Sequence, residues 1–215
     1  MFDAWLEQEK ADIKAIYGMQ HILCVILALM LVPFFLMNLI VLLDGGGALS
    51  MVVVAFGVFA LVLIPSMGNY KKRFIKPLLA SVERDIPSGE ERQEFARQMQ
   101  ETAVVISYYP LPQRKACDIM VAESYCYMRQ PGKSRIFKNS EIRRAVLQWE
   151  SYTAGMVGHL HFRGMYAMEL YAAGNERKPI WKGYFADEGD LYQAFDQFKP
   201  SLPQEAIIQD NVAAG

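Results

Sequence analysis

Charge is distributed along this chain in a way that few folds permit. The 215 residues include 22 basic and 23 acidic side chains, yet only Asp44 of these lies between Gly18 and Asn69. Two long uncharged runs, 19–43 and 48–67, fill most of that interval and consist mainly of Leu, Ile, Val, Met, Phe and Ala. As helices they would measure about 37 Å and about 30 Å, and the hydrocarbon core of a bilayer is about 30 Å thick. The sequence therefore predicts two transmembrane helices, which together occupy 19–67.

The connector between the two runs favours a hairpin. Its four residues, Asp44-Gly45-Gly46-Gly47, are suited to a tight reversal, so the spans are expected to be antiparallel neighbours. Asn38 is the one strongly polar residue inside the first span and should face the second helix rather than lipid. Gly57 and Ala60 offer a surface on the second span where the two helices can approach closely.

Two other interpretations of the apolar runs agree less well with the sequence. Helices that are apolar all round, at these lengths and in tandem, are rare in soluble proteins. A cleaved signal peptide is disfavoured because the first run is too long and no small-residue cleavage site follows it.

Basic residues near the ends of the spans predict the orientation. Lys10 and Lys14 precede the first span, and the connector contains no Lys or Arg. A membrane-surface basic cluster follows the second span and consists of Lys71, Lys72, Arg73 and Lys76. Because Lys and Arg are enriched in cytoplasmic segments, both termini are expected in the cytoplasm of a multi-pass membrane protein.

Residues 1–18 are expected to form an N-terminal cytoplasmic segment with helical character. Trp5, Leu6, Ile13 and Ile16 could share one side of a helix, as in an amphipathic segment lying on the membrane surface. A plain helical extension of the first span is the alternative.

The rest of the chain reads as a water-soluble α+β domain. Residues 68–102 are expected to form a juxtamembrane stalk and a charged helix that begins at Ser88, since Glu91 completes a capping box. Residues 103–203 are expected to form the folded domain, and residues 204–215 a flexible tail.

The folded domain is predicted to be an antiparallel β-sheet or partly closed barrel of six or seven short strands. Alternating apolar residues, β-branched residues and turn signals support this pattern. The predicted strand segments are 104–109, 118–128, 135–138, 144–152, 159–172 and 180–186. A C-terminal amphipathic helix should begin after the N-cap Asp187 and cover one end of the barrel.

This order of elements resembles the pleckstrin-homology-like (PH-like) fold over 103–200. The features that carry the resemblance are the strand layout, the step Ser140-Glu141-Ile142 leading into a strand, and the closing helix of 187–198. More narrowly, the chain is similar to uncharacterised bacterial membrane proteins with two transmembrane helices and a C-terminal domain of this kind. The resemblance implies a binding or scaffolding module in the bacterial inner (plasma) membrane, and it supplies no catalytic residues.

Residues with catalytic or metal-binding chemistry are sparse. His159 and His161 would lie on the same side of one strand, where Glu169 is the obvious third ligand for a metal. A solvent-facing histidine pair is the simpler interpretation. No phosphate-binding loop, nucleophile elbow or zinc motif is present in the sequence, so we expect neither an enzyme nor a cofactor.

A basic run is the one sequence feature with a binding mechanism. It comprises Arg129, Lys133, Arg135, Lys138, Arg143 and Arg144, and Glu141 is the only acid among them. Near a bilayer, each such residue would gain about 1 kcal/mol from anionic lipid headgroups. The alternative is a solvated hairpin without a ligand. Nucleic acid is not an expected partner because no aromatic residues alternate with these charges.

The expected function is that of a non-enzymatic, membrane-tethered PH-like module that binds a protein partner or anionic lipid headgroups at the cytoplasmic face. One alternative is a small accessory subunit of a transporter or secretion assembly. Another is a membrane enzyme whose catalytic residues are not recognisable.

Overall fold

The computed structural model describes residues 1–45, 53–54, 57, 69–110, 116–154, 161–174 and 177–212. The chain divides into two compact units. The helical unit comprises Leu6–Lys76. The β unit comprises Met1–Trp5 together with Pro77–Gly215.

One long helix, α1 (Phe2–Leu43), dominates the described part of the helical unit. This helix includes Pro33 and residues 2–18. The N-terminal segment is therefore a helical extension of the first apolar run, which is one of the two arrangements expected from the sequence. Among the described residues, α1 is the one helix long and apolar enough to cross a membrane. Its apolar side chains are largely exposed, with Met30 71% and Met37 67% accessible. Exposure on this scale is expected of a helix whose surroundings are lipid.

The predicted second span, 48–67, lies almost entirely outside the described residues. Within it, Val53, Val54 and Gly57 are described and are helical, whereas Ala60 is not among the described residues. Of the predicted connector, Asp44 and Gly45 are described; they form a turn after the end of α1 at Leu43.

The chain beyond this span returns to α1. Lys71–Ile75 form a π-helical turn, and the ring of Phe74 in that turn stacks on Tyr17 of α1 with centroids 4.1 Å apart. Residues near the two outer ends of the predicted hairpin therefore meet within the helical unit.

The described residues of the β unit form eight strands in two four-stranded sheets, neither of which is closed. The first sheet has the order β1-β2-β3-β4 and the second has the order β7-β6-β5-β8. The strands of the first sheet are β1 (Val104–Tyr108), β2 (Cys117–Val121), β3 (Tyr125–Arg129) and β4 (Arg135–Lys138). Those of the second are β5 (Ile142–Ala154), β6 (His161–Ala172), β7 (Trp181–Phe185) and β8 (Ile207–Asn211).

Three helices complete this unit: α2 (Lys76–Asp85), α3 (Gly89–Glu101) and α4 (Glu188–Phe198). The charged helix α3 begins as predicted, with Ser88 and Glu91 forming both halves of a capping box. Asp187 caps α4 by accepting a hydrogen bond from the Asp190 N–H at 2.8 Å. The apolar face of α4 closes the core between the two sheets, where Trp181 and Phe198 are almost completely buried.

Three expectations about the strands need correction. Segment 118–128 is a hairpin of two strands rather than one, although its turn at 122–124 contains no Gly, Pro or Asn. The barrel is replaced by two sheets, between which the described residues form one bridge, Tyr109 to Tyr184. The array is not wholly antiparallel, because β8 pairs in parallel with β5.

The tail is also more ordered than expected. We predicted that residues 204–215 fray, yet 207–211 form β8 along the edge of β5. All five of its side chains are exposed, so it lacks the apolar alternation by which a strand is recognised in a sequence.

A helical layer covers the outer face of the first sheet, which is why all five residues of β3 are buried. The ring of Phe95 in α3 meets Tyr125 edge-on, with centroids 5.6 Å apart. In α2, the Ser81 hydroxyl accepts a hydrogen bond from the Ile136 N–H at 2.7 Å, which satisfies a backbone donor of β4. The part of the stalk from Pro77 onward is therefore an integral part of the β unit.

Asp85, at the end of α2, should make this unit acid-sensitive. Burial alone would raise the pKa of this carboxyl, but hydrogen bonds donated by Arg84 and Ser81 lower it below its usual 3.8. A carboxyl whose pKa is lowered on folding stabilises the fold at pH values above its pKa in the unfolded chain. This contribution is lost as the pH falls through the pKa of the folded state. We expect Asp85→Asn to cost about 1 kcal/mol at pH 7 and less at pH 3, measured by denaturant unfolding at both values. An equal cost at both values would contradict this assignment.

Candidate functional site

The β unit contains a groove between β1, the end of β7 and helix α4, with a volume of about 320 Å³. Its lining includes Val105, Ser107, Phe185, Asp190 and Gln193. The strand forms one wall and the helix forms the other, so the groove has the shape of a channel for an extended chain.

The wall formed by β1 presents unpaired backbone groups. One edge of β1 is hydrogen-bonded to β2 over its whole length. On the other edge, the described residues make backbone hydrogen bonds only at Tyr109, which exchanges two bonds of 2.8 Å with Tyr184. Since the backbone N–H and C=O of successive residues point to alternate sides of a strand, those of Val105 and Ser107 point the same way as those of Tyr109. They therefore face the groove.

The side chains beside this edge are apolar and exposed. Val104 is 41% and Val105 55% accessible, which is high for β-branched residues in a strand. Opposite them, α4 contributes Asp190, Gln193 and Gln197, and Asp190 is the one charged residue among the described residues of the lining. The groove can pair with a strand and can accept a basic side chain at one end.

Three residues of the predicted basic run make contacts with three different partners. Lys138 forms an ion pair with Glu91 of α3, and Arg143 forms one of 2.7 Å with Glu205. Arg144 lies over the ring of Tyr171, 4.2 Å from its centroid.

The other three residues of the run occupy different surroundings. Arg129 is buried in β3, and Lys133 is exposed in the turn that follows it. Arg135 is half-buried, and its charge helps to lower the pKa of Asp85.

The predicted metal pair is not placed. His159 lies outside the described residues, and only the backbone of His161 is described, at the start of β6. The third expected ligand, Glu169, is buried and forms an ion pair of 2.6 Å with Lys182. In the described ranges, no three His, Cys, Asp or Glu residues are grouped closely enough to hold a metal ion.

A polar network that the sequence did not reveal covers the outer face of the second sheet. Lys182 on β7 bridges Glu150 at 2.5 Å and Glu169 at 2.6 Å. Tyr184 donates a hydrogen bond of 3.1 Å to Glu150, and Tyr171 donates one to Glu169. Period-two alternation assigns these residues to the outer face, but only the strand register brings them together.

Hydrogen bonds in this network keep Lys182 charged, and burial together with a hydrogen bond keeps Tyr171 protonated at neutral pH. Burial by itself would lower the pKa of Lys182, and hydrogen bonds to Glu150 and Glu169 outweigh that effect and raise it. Burial and the hydrogen bond to Glu169 raise the pKa of Tyr171 to about 12. With its polar groups bonded to one another, the network is suited to rigidity rather than to proton transfer at neutral pH.

The remaining predicted residues belong to the helical unit. Lys71 and Lys72 are exposed in the π-helical turn, Arg73 is half-buried there, and Lys76 is exposed. Asn38 is half-buried on α1.

No family model, no curated protein and no solved structure matches this chain.

Proposed function

We propose that this protein is a membrane-anchored, non-enzymatic module whose PH-like domain binds an extended segment of a protein partner. The segment adds a strand to β1 in the groove beside α4. One observation carries the proposal: Val105 and Ser107 direct backbone donors and acceptors into a groove that also exposes apolar side chains. Strand addition at such an edge gains affinity from main-chain hydrogen bonds and specificity from the neighbouring walls.

The anchor in this proposal is a hairpin of two transmembrane helices. The exposed apolar surface of α1 supports the first span. The contact between Tyr17 and Phe74 supports the second, because a chain that leaves α1 and comes back to its start must travel the same distance in reverse. The basic residues on both outer ends favour a cytoplasmic location for the termini.

The PH-like assignment is supported by the order of elements. A four-stranded antiparallel meander (β1 to β4) is followed by a three-stranded meander (β5 to β7) and then by a helix that closes the core. The strand β8 is an addition to this plan.

A protein partner is favoured over anionic lipid by the state of the basic run. Arg143 and Lys138 already pair with carboxylates, and Arg144 stacks on a tyrosine. Binding of lipid headgroups would have to break these contacts.

Photocrosslinking in intact membranes tests the groove. A photoreactive residue at Gln193 lines the groove, and one at Glu188 is exposed on the same helix but lies outside the lining. We expect protein adducts at position 193 and not at 188. Val105→Pro should reduce the adducts at 193 at least tenfold, because proline removes the N–H that faces the groove and leaves the bonds to β2 intact.

Val105→Thr is the matched control, since threonine keeps the backbone donor and a β-branched side chain. It should leave the adducts unchanged. Adducts that persist in Val105→Pro, or that form equally at 188, would refute strand addition at this edge.

A further inference from the structure

The strand β8 is unusual because it is paired without being packed. It forms a parallel ladder with β5, from Arg144 opposite Ile207 to Gln148 opposite Asn211. All five of its side chains are nevertheless exposed, including Ile207 at 60% and Ile208 at 44%. A strand that contributes to the core normally buries alternate side chains. The ladder of β8 is therefore held by its main chain.

Specific contacts lie near the two ends of the ladder. Before the strand, Glu205 accepts a hydrogen bond of 2.7 Å from the Arg143 guanidinium. Within it, Asp210 accepts one of 2.8 Å from the Tyr192 hydroxyl of α4. After it, Val212 is buried in the core cluster. Two acids and one aliphatic residue thus fix the register of an otherwise unspecific strand.

These contacts have the form of a peptide-recognition site. We propose that the edge of β5, with Arg143 and Tyr192 beside it, is a binding site for an extended acidic segment of a partner protein, and that residues 205–212 are its built-in occupant. The site recognises an acid, a second acid five residues later and an aliphatic residue two further on. The chain's own sequence supplies this pattern as Glu205, Asp210 and Val212.

A partner segment could replace β8 at this edge because the side chains of β8 do not pack into the core. Residues 199–206 connect it to α4 and include Pro200 and Pro203, so the segment can leave β5 without unfolding the helix. Tethering gives the built-in strand a high local concentration, so a partner segment must match its contacts to compete. The groove at β1 plays no part in this exchange.

The test uses the full-length protein in detergent, with a protease site inserted between Pro203 and Gln204 and cleaved after folding. Protection of the Cys126 thiol, which is fully buried, verifies the fold before cleavage. We expect the cleaved segment 204–215 to remain bound. A synthetic peptide of residues 204–212 in excess should displace it, and the same peptide carrying Glu205→Lys and Asp210→Lys should be at least tenfold less effective.

A charge exchange identifies the site. In Arg143→Glu protein, the peptide with Glu205→Lys alone should displace the segment better than the native peptide does. Loss of the segment on cleavage, or equal displacement by the native and the doubly substituted peptides, would overturn the proposal.

The uncut protein provides a second measurement if the insertion prevents folding. Excess native peptide should increase hydrogen exchange of the Ile207–Asn211 amides at least tenfold, because displaced amides lose their ladder partners. Unchanged exchange would also overturn the proposal. Neither result bears on crosslinking at Gln193, so the two proposals fail separately.

Discussion

Replacing Gly183 with alanine should destabilise the β unit by roughly 1–3 kcal/mol, the range for overpacking a closed core. Gly183 is buried in the middle of β7, between Trp181 and Phe185 on the same face. A Cβ added there would lie 2.5 Å from Cζ2 of Trp181 and 3.0 Å from Cδ2 of Tyr108. Both rings are almost completely buried and meet edge-on, with centroids 5.0 Å apart. Neither ring can move aside without disturbing the core.

Gly164 provides a matched control on the neighbouring strand. A Cβ at this position would come even closer to a tryptophan, 2.3 Å from Cζ2 of Trp149. Trp149 is 41% exposed, however, and its indole can rotate into solvent. We therefore expect Gly164→Ala to cost less than about 1 kcal/mol, since the strain is relieved by a single side chain.

Thiol labelling during a thermal ramp measures both variants in a Cys24→Ala background. Burial raises the pKa of the Cys126 thiol and that of Cys117, the latter to about 11, so the folded domain protects both thiols. Labelling should begin at a clearly lower temperature in Gly183→Ala than in Gly164→Ala. The reverse order would mean that the core around Trp181 accommodates an extra methyl group.

Local sequence signals predicted the elements that have strong local chemistry. The capping box at Ser88 located α3, Asp187 located α4, and the apolar alternation located β5 and β6. These signals act within a few residues, so they are visible without knowledge of the fold.

The features that escaped prediction depend on long-range placement. The turn at 122–124 that divides β2 from β3 has no glycine or proline, and its geometry is supported from outside by Gln98 of α3, which bonds the Ser124 N–H at 2.8 Å. The strand β8 has no buried face to reveal it. In the described structure, a single bridge joins the first sheet to the second, and this leaves the candidate groove open between β1 and β7. No local sequence pattern encodes this arrangement.

The first turn of α1 is the most consequential of these long-range placements. The sequence favours either a helix on the membrane surface or a plain extension of the first span for the segment that contains Trp5, whereas Met1–Trp5 belong to the β unit. The indole of Trp5 meets the ring of Phe95 edge-on at 4.8 Å and that of Tyr127 at 5.7 Å. The Phe2 N–H donates a hydrogen bond of 3.2 Å to Gln93 of α3. The N-terminus therefore completes the layer that covers β3.

Trp5→Ala should consequently cost about 3–5 kcal/mol, as expected for removing a large buried aromatic side chain. Trp5 is only 6% exposed, so its loss leaves a cavity against the rings of Phe95 and Tyr127. Trp149→Ala removes the same atoms from a position that is 41% exposed and should cost less, roughly 1–2 kcal/mol. The thiol-labelling ramp that compares the glycine variants also measures this pair. If the two tryptophan variants unfold at the same temperature, the first turn of α1 contributes nothing to the domain, and its packing on β3 is not a feature of the folded protein.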